Sequence, residues 1–571
     1  MDSNPQLSSA SGLNGLRLAT LLFALGQIWT SRFSVNPDGI AYLDIARAWL
    51  RGDWAGALNT YWSPLYSWLV AAVFALFRPG IRWQYFTMHA INFAGFAAAL
   101  LAWDHLFKEW EKWQGPPKHR KLVNLAACAT ICWVGLHLVG LAFDSADILV
   151  LALTLLLAAR LVRVRSGAAR PPDFAVIGVV LGTAFLAKSA TMVMIPVTFA
   201  VLAGLLRSIT DKRIGIALVT TLAVVAPFIT ALSLASHRFT FGDTGPINYS
   251  MIVGGLSAEG YKDSVLPPPD GVPHAPRIRL SDPRVLSFEA HATGTFPIHN
   301  DPAWWYRGYP VLFNAARQAE AIRGGIAFVL LLVLCMPASA LFLFCFRSWK
   351  KLGQLWFLGV PAVASLATYC LVIVHARYIA GPLALIGFIL LAALWQTDLS
   401  RRAERVAAVS VVLLFGILTW RELVTVPFYV AGEMLAWGSS PLKANVDLAE
   451  NMTRKGLRPG DGVAFIGDTL DATWLGLNEA RIVAMVPARI YHSDTELGRP
   501  IQESFEKTDR FWHSGALKQG AALAAFRDAG AKWALANEVP PGADLTDWMI
   551  AGPAQKLRDA DSGYLYYRRL Q

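Results

Sequence analysis

Charged side chains are scarce in this sequence. Asp, Glu, Lys and Arg make up 16% of its 571 residues, whereas soluble proteins contain about 25%. The shortage is uneven, because long apolar runs fill residues 16–426 while residues 440–571 have the composition of a soluble domain. The mean hydropathy is +0.41. This composition excludes an ordinary soluble protein and predicts a polytopic, all-α membrane protein with a small soluble domain at its C-terminus.

Cysteines are also few, and none lies in a predicted external loop or in the tail. All five fall inside predicted membrane helices: Cys128, Cys132, Cys335, Cys345 and Cys370. This placement excludes a disulfide framework and a cysteine metal site. The formal charge of +11 comes mostly from Lys and Arg in short loops between apolar runs, so it does not indicate nucleic-acid binding.

Eleven apolar runs are suited to membrane helices, which need roughly 17–25 residues. We place spans near residues 16–33, 83–107, 122–142, 145–161, 174–187, 190–206, 214–235, 322–346, 353–374, 378–397 and 406–426. The first run lacks a signal-peptide cleavage site and is predicted to be retained. With eleven spans, all five basic clusters of the connecting loops fall on one side, which should be the cytoplasm.

This topology predicts a cytoplasmic N-terminus and places two loops, 34–82 and 236–321, outside the membrane together with everything after residue 427. The apolar stretch 64–77 is only 14 residues long and is flanked by Pro64 and Pro79. Counting it as a span would put the later basic clusters outside, so we expect an interfacial or re-entrant helix there. The predicted domains are therefore 1–430, in the membrane, and 440–571, external.

The first external loop begins with VNPDGIAYLDIA, residues 35–46, which places two carboxylates and a tyrosine just outside the first span. Asn36 can cap a helix that starts at Pro37 and carries Asp38 in its first turn. That helix should run to about Arg51 and stop at Gly52.

One face of this predicted helix carries Asp38 and Tyr42, which are four residues apart. Ile40, Leu43 and Leu50 supply an apolar side, so we expect the helix to lie along the membrane surface. From this segment alone, Asp38 could have a functional role or could merely cap a surface helix. Asp38 and Asp44 could also hold a divalent metal, although no ligand spacing demands one.

Three further segments place charged or polar groups at external or boundary positions: Asp144 and Asp147 in LAFDSADILV, Lys188 in TAFLAKSATMVMIPV, and His375, Arg377 and Tyr378 in VIVHARYIAGPLAL. A lone membrane lysine often only snorkels to the interface, but an arginine at this depth usually has an anionic partner from the protein or a ligand. Carboxylates suit proton abstraction from a hydroxyl, and cations suit a departing phosphate. The combination suits a transferase that uses a lipid-phosphate leaving group.

The loop 236–321 is rich in Pro, His and aromatic residues, and we expect it to form a gate. Four aromatic residues could stack on sugar faces or belong to the interfacial belt: Trp304, Trp305, Tyr306 and Tyr309. Three histidines are too irregularly spaced to indicate a metal site: His274, His291 and His299.

The tail alternates strand-like runs (GVAFIG, ARIVAMV, KWALAN) with helical ones (NVDLAENMTRKG, AALAAFRDAG) and ends in GYLYYRRL. This alternation predicts a small α/β accessory domain. The segment GDTLDATWLG does not match GxGxxG, so a dinucleotide site is not expected.

Four motifs, in order along residues 16–426, resemble those of the GT-C-fold glycosyltransferases, the class that contains protein O-mannosyltransferases and lipid A aminoarabinose transferases. The motifs are PDGIAYLDIARAWLRGDW followed by YWSPLYSWL, then FDSAD, then GTAFLAKSATMVMIPV, and finally HARYIAGPLAL. Such enzymes transfer a sugar from a membrane-embedded polyprenyl phosphate to an external acceptor and invert the anomeric carbon. The resemblance implies a GT-C fold and this activity.

Residue roles follow from the same resemblance. It implies Asp38 as general base, cations at Lys188 and Arg377 near the donor phosphate, and a second acidic position at Asp147 or Asp144. We expect further donor contacts from His375 and Tyr378, and substrate contacts from Tyr42, Asp44, Tyr61, Trp62 and Trp305. No cofactor beyond the lipid-linked sugar is certain. The expected acceptor is a lipid, a glycan or a protein, and the expected location is the bacterial inner membrane.

The chain also departs from the family pattern. Asp38 is followed by Gly39 where many relatives have Glu, and Trp62-Ser63-Pro64 stands where the transferases often have Lys-Pro-Pro. Lys188 is followed by Ser rather than Gly. These departures imply that the donor site depends more heavily on Arg377 and His375.

Two other function classes compete with the transferase. A lipid flippase or transporter should have charges through the membrane depth and repeated halves, whereas here the charges cluster at one face and no repeat is seen. A membrane scaffold would leave Asp38, Lys188 and Arg377 without a role.

Overall fold

The computed structural model describes residues 5–254, 276–288, 294–305, 311–343, 349–435, 443–487, 490–491, 503–504, 508–554 and 563–570. His274, His291, Tyr306, Tyr309 and Cys345 lie outside these residues. The first eleven α-helices are α1 Pro5–Thr30, α2 Pro37–Arg51, α3 Trp54–Ala57, α4 Pro64–Phe77, α5 Gln84–Gln114, α6 Arg120–Cys132, α7 Asp147–Arg165, α8 Pro171–Ala187, α9 Met194–Leu206, α10 Lys212–Ala235 and α11 Thr244–Ile252. The others are α12 Pro297–Asn300, α13 Pro302–Trp305, α14 Ala315–Cys335, α15 Pro337–Leu343, α16 Trp349–Leu352, α17 Trp356–Cys370, α18 Ala380–Ala393, α19 Arg401–Leu435, α20 Lys443–Lys455, α21 Asp509–Trp512 and α22 Gly515–Asp528.

The chain divides into two compact units. The first contains residues 1–30, 89–234 and 318–435, and the second contains residues 31–88, 235–317 and 436–571. The predicted division near residue 430 leaves the loops 34–82 and 236–321 with the membrane domain. The structure instead groups these loops with the tail, because they pack on it and contribute strands to its sheet.

The first unit is helical, and within the described residues each of the eleven predicted spans overlaps helix. Among the described residues, six helices are long and apolar enough to cross a membrane: Ile81–Gln114, Arg120–Val139, Ser189–Leu206, Lys212–Ala235, Ala315–Cys335 and Arg401–Gly432. Three shorter apolar helices are Pro64–Phe77, Pro171–Ala187 and Ala380–Ala393. The chain is therefore a multi-pass membrane protein.

The apolar stretch around Lys188 is interrupted rather than continuous. Helix α8 ends at Ala187, Lys188 has an extended backbone with φ −157° and ψ 116°, and a 3₁₀ turn, Ser189–Val193, leads into α9. Non-helical backbone at membrane depth is found where protein or a water-filled cavity surrounds it. The break therefore sets Lys188 apart from a lysine that merely snorkels from a continuous helix.

Helix α2 has the predicted bounds. Asn36 occupies the N-cap position with an extended backbone, and Pro37 is the first helical residue. Gly52 ends the helix in the left-handed conformation, φ 69°, and its N–H bonds the carbonyls of Ala48 and Trp49. Proline at the start and glycine just past the end are the usual helix boundaries, which is why the sequence located them.

The apolar side of α2 packs against protein, so the expectation that it lies along the membrane surface is not supported by its burial. Ile40 and Leu43 are completely buried. Ile40 lies against Gly476 of the tail, where an added Cβ would come within 2.6 Å of the Ile40 Cδ1 atom. Leu50 alone of the three predicted apolar positions is exposed, at 45%.

Arg47 joins α2 to the tail within the second unit. Its guanidinium donates to the carbonyl of Gly476 at 2.5 Å and to the Gln84 Oε1 atom at 2.7 Å, and it lies 3.7 Å from Glu479. Arg51 adds a second ion pair to Glu479, at 2.8 Å. These contacts hold α2, the helix that carries Asp38, against the tail. Hydrogen bonds from a charged arginine are stronger than those between neutral groups.

The tail contains the predicted α/β arrangement. Its strands are β3 Gly462–Gly467, β4 Arg481–Pro487, β5 Ile490–Tyr491, β6 Glu503–Ser504, β7 Trp533–Ala536, β8 Met549–Ala554 and β9 Gly563–Arg569, preceded in the chain by β1 Arg277–Ser281 and β2 Arg284–Ser287. The main sheet has the order β1-β2-β4-β3-β7-β9-β8. Strands β4, β3 and β7 are parallel, and the flanking pairs are antiparallel. Every residue of β3 is buried, as expected for a central parallel strand covered on both faces.

Candidate functional site

A carboxylate flanked by two cations forms a polar cluster in the helical unit. The Lys188 Nζ atom lies 2.5 Å from the Asp147 Oδ1 atom, and the Arg377 Nη1 atom lies 3.3 Å from the Asp147 Oδ2 atom. The Ser145 hydroxyl also donates to Asp147, at 2.9 Å. Asp147, Lys188, Arg377 and Tyr378 are called the cation cluster below.

Aromatic rings line the cation cluster. The Lys188 ammonium lies 3.5 Å from the centre of the Tyr378 ring, and the Arg377 guanidinium lies 3.8 Å from the centre of the Phe143 ring. His375 meets Tyr378 edge to face, with ring centres 4.9 Å apart. Cations held against aromatic faces are stabilised when they are partly removed from water, so both positive charges are kept in place.

The charged members of the cation cluster lie at a helix end or between helices rather than in the middle of a helix. Asp147 is the first residue of α7, where a helix N-terminus favours a carboxylate. Lys188 lies at the break between α8 and the 3₁₀ turn, and Arg377 lies in the turn between α17 and α18. Two cations and one carboxylate leave a formal charge of +1 among these side chains, which suits an anion such as a phosphate.

Asp144 belongs to a separate, fully buried group. His89, Asn92 and Asp144 are 0%, 1% and 0% exposed. The Asn92 amide donates to Asp144 at 3.2 Å and also to the carbonyls of Leu141 and Phe143, while His89 lies 3.2 Å from Asp144. This group holds the turn before Asp147. Of the two acidic positions predicted for the site, Asp147 contacts both cations, and Asp144 supports the turn.

In the second unit, Asp38 lies beside a histidine from a distant segment. The Asp38 Oδ1 atom is 3.3 Å from the His299 Nε2 atom, and the two side chains are 21% and 29% exposed. His299 lies in α12, in the described segment Gly294–Trp305, here called the 294–305 segment. The sequence singled out Asp38 but found no role for this histidine.

The predicted aromatic positions near Asp38 are packed against one another. Tyr42 is buried and meets the rings of Trp62 and Tyr66 edge to face, at 5.2 and 5.0 Å. The Tyr61 hydroxyl donates to Asn248 at 3.2 Å, and the Trp62 indole donates to the carbonyl of His299 at 3.1 Å. These contacts hold the surroundings of Asp38 in place.

Trp305 does not present a ring face for a sugar. It is 2% exposed and packs edge to face on Trp304 and Phe288, with ring centres 4.6 and 5.7 Å apart. Ile247 contributes to the same apolar cluster. The predicted sugar contact at Trp305 is therefore corrected to a core position, since burying an indole of this size contributes strongly to stability.

Asp44 of α2 faces the 294–305 segment and its side chain is only 10% exposed, so the predicted substrate contact is corrected as well. Its carboxylate accepts hydrogen bonds from the Thr295 N–H at 2.7 Å and from the Thr295 hydroxyl at 3.2 Å. Arg47 lies 3.8 Å away. Burial raises the pKa of Asp44 from 3.8 to about 6, although the charge of Arg47 and the bonds from Thr295 lower it.

Replacing Asp44 by Asn should reduce the pH dependence of stability. The folded protein binds an additional proton at Asp44 between pH 4 and 6, so the free energy of unfolding decreases as pH rises through this range. This decrease in the free energy of unfolding is about 3 kcal/mol at most. Asn retains an oxygen for Thr295 without the charge.

We therefore expect wild type to lose thermal stability between pH 5 and pH 8, and Asp44→Asn to lose less and to be the more stable protein at pH 8. Thermal unfolding in detergent at both pH values measures this, with the exposed Asp528→Asn as the control. Equal pH dependence in Asp44→Asn and wild type would contradict the assignment.

Comparison with known proteins addresses the fold. Aligned with the crystal structure of ArnT from Cupriavidus metallidurans bound to undecaprenyl phosphate, the chain gives a TM-score of 0.51 at 14% identity, covering 97% of this chain and 98% of that one. The apo form of the same ArnT gives the same score and identity. The chain has the GT-C fold. The predicted fold class is confirmed.

Similarity to other known proteins is lower or absent. The chain aligns to the Archaeoglobus fulgidus oligosaccharyltransferase with a TM-score of 0.42 at 12% identity, covering 91% of this chain and 68% of that one. No protein-family model matches the sequence. No curated protein matches it either.

Among the residues that lie against predicted site residues, the sequence assigned no role to three polar ones: His89, Asn92 and His299. His89 and Asn92 are polar and three positions apart inside the apolar run 83–107, which is a usable signal for a buried polar group in a membrane helix. His299 has no such signal, because its neighbours in the sequence are those of an ordinary loop. In the described part of the chain, no three His, Cys, Asp or Glu side chains come together in a way that could hold a metal ion.

Proposed function

We propose that the chain is an inverting membrane glycosyltransferase that moves a sugar from a polyprenyl-phosphate donor to an acceptor hydroxyl on the external face of the membrane. The observation that carries the proposal is the cation cluster, in which two partly buried cations flank one carboxylate, in a chain with the GT-C fold. The solved ArnT structure with the same fold contains undecaprenyl phosphate.

The cation cluster supports this reaction because a polyprenyl phosphate gains negative charge as it leaves the sugar. Lys188 and Arg377 would bind the phosphate oxygens, and fixed positive charges stabilise the transition state more than the ground state when charge develops on the leaving group. Asp147 holds the two cations close together, at 2.5 and 3.3 Å. Arg377 presents a fork of N–H donors that suits a phosphate, and Lys188 a compact point charge.

Asp38 is the proposed general base. The acceptor O–H proton would pass to the Asp38 carboxylate while the acceptor oxygen forms a bond to the anomeric carbon and the carbon–oxygen bond to the phosphate breaks. A single displacement of this kind inverts the anomeric carbon. Asp38 lies in the first turn of α2, and the helix N-terminus keeps it ionised.

The sugar is proposed to be a hexose or a pentose, and the acceptor a lipid, a glycan or a protein. The proposed location is the bacterial inner membrane, with the N-terminus in the cytoplasm and the tail outside. The proposed external domain is the tail, residues 440–571, together with the loops that the structure groups with it.

The direct test uses purified protein in proteoliposomes that contain polyprenyl-phosphate sugars with a radiolabelled sugar and a set of candidate acceptors. We expect release of polyprenyl phosphate that depends on the acceptor and a labelled product of inverted configuration. Movement of intact donor across the bilayer without cleavage would instead support a flippase. Donor that is neither cleaved nor moved would contradict both functions.

A further inference from the structure

The 294–305 segment is fixed to the part of the second unit that carries Asp38 by contacts on several sides. The Trp62 indole donates to the His299 carbonyl at 3.1 Å, and the Asn59 amide donates to the Asn300 carbonyl at 2.7 Å. Two residues before α12, Thr295 donates twice to Asp44 of α2. These hydrogen bonds place the His299 ring against Trp62, with ring centres 5.4 Å apart. The position of His299 beside Asp38 is thus set by the fold.

Asp38 by itself is a weak base. It lies in the first turn of α2, where the helix dipole favours the charged carboxylate and so disfavours taking up a proton. A carboxylate binds protons only in acid, whereas an imidazole binds them near neutral pH. The imidazole of His299 lies 3.3 Å from the carboxylate and can supply the proton affinity that the carboxylate lacks.

We propose that His299 acts through Asp38 as a proton relay, an inference that rests on the proposed glycosyl transfer. The acceptor hydroxyl loses its proton to Asp38 as the new carbon–oxygen bond forms and the phosphate leaves. Asp38 passes the proton to the Nε2 atom of neutral His299, which becomes an imidazolium beside the restored carboxylate. The Nε2 atom is buried while the side chain as a whole is 29% exposed, so the imidazolium would lose a proton to water from its other nitrogen, Nδ1.

The charges around His299 fit this role. Helix α2, strand β4 and the adjoining loops surround α12. Their titratable or charged side chains are Asp38, Tyr42, Asp44, Arg47 and Arg51 on α2, Arg481 on β4, and Tyr61 and Asp301 in the loops. Asp38 lies 3.3 Å from the ring, and its negative charge stabilises the imidazolium formed by the relay.

Replacing His299 by Gln should lower kcat by roughly ten- to a hundredfold, since proton transfer by a positioned side chain contributes about 10²- to 10⁴-fold and Asp38 remains. The KM for the lipid-linked sugar should stay within about twofold. In wild type the rate should fall in acid, because protonated His299 cannot accept another proton. In His299→Gln this acidic limb should move to lower pH, where Asp38 itself takes up a proton. The exposed His513→Gln should behave as wild type.

A normal kcat in His299→Gln would overturn the relay. So would a reduced kcat that keeps the wild-type acidic limb, because a merely structural role would lower the rate without changing its pH dependence. If wild type transfers no sugar from any donor, the proposed function fails, and a second measurement decides the pairing.

That measurement is NMR of histidine-labelled protein in nanodiscs, with the His299 resonance assigned from His299→Gln. The resonances of the His299 ring should change in Asp38→Asn and keep their wild-type positions in Asp528→Asn, because only the first substitution removes the carboxylate that lies 3.3 Å from the ring. Unchanged ring resonances in Asp38→Asn would overturn the proposed proton exchange between the two residues without reference to activity.

Discussion

Asp38→Asn should lower the rate of sugar transfer roughly a thousandfold, within the range that general-base catalysis contributes. Asn has the size of Asp, and losing the charge near the helix N-terminus costs only about 0.3–1 kcal/mol, so α2 should still form. The change removes only the ability to take up the acceptor proton. The measurement is single-turnover transfer from a labelled donor, together with the Kd for polyprenyl phosphate, which should be unchanged.

Asp528→Asn is the matched control for this substitution, because Asp528 is exposed at the end of α22 in the same unit. It should transfer sugar at the wild-type rate. If Asp38→Asn retained more than about a tenth of the wild-type rate, the general base would have to be another residue. Weaker donor binding in that variant would indicate that Asp38 contributes to binding instead.

Arg377→Ala should weaken binding of polyprenyl phosphate roughly thirtyfold, since a hydrogen bond to a charged group is worth about 2 kcal/mol. Lys188 stays paired with Asp147 at 2.5 Å, so the carboxylate is not left buried without a cation and the fold should persist. The Kd of Arg377→Lys should lie between those of wild type and Arg377→Ala, because lysine keeps the charge but lacks the planar fork of donors. The measurement is the Kd of the protein in nanodiscs for polyprenyl phosphate.

The control is Arg402→Ala, which removes an exposed arginine from the start of α19 in the same unit. It should leave the Kd unchanged. Unaltered binding in Arg377→Ala would exclude Arg377 from the phosphate site. Equal loss in Arg377→Ala and Arg377→Lys would show that the geometry of the guanidinium matters more than its charge.

Local rules were sufficient for several elements. The bounds of α2 followed from Asn36, Pro37 and Gly52 because helix ends depend on the conformational preferences of single residues. The central strands β3, β4 and β7 followed from short apolar runs between turns. Within the described residues, each predicted membrane segment also overlaps helix, since apolar length is a property of the sequence alone.

Other parts of the fold depend on residues far apart in the chain. Strands β1 and β2 lie in the loop before α12, and β2 pairs with β4 of the tail. No local pattern indicates that partner, so the sequence left the loop with the membrane domain. The edge strand β1 is largely exposed, and its alternating Arg and apolar residues are a weak signal.

The candidate site, like the fold, was predicted in part. The sequence identified Asp147, Lys188 and Arg377 because charged residues are conspicuous in apolar surroundings. It could not distinguish Asp147 from Asp144, because only the tertiary structure turns one toward the cations and the other toward His89 and Asn92.

Around Asp38, the sequence by itself determined a carboxylate in the first turn of a helix, and the tertiary structure decided its surroundings. Asp44 looked like a second site carboxylate until Thr295, 251 residues away, was found to bury it. His299 looked like a loop residue until the 294–305 segment placed it beside Asp38. Residue types and local spacing determine which groups are available for chemistry. Which of them meet is decided by packing between distant segments, where burial and hydrogen bonding select the partners.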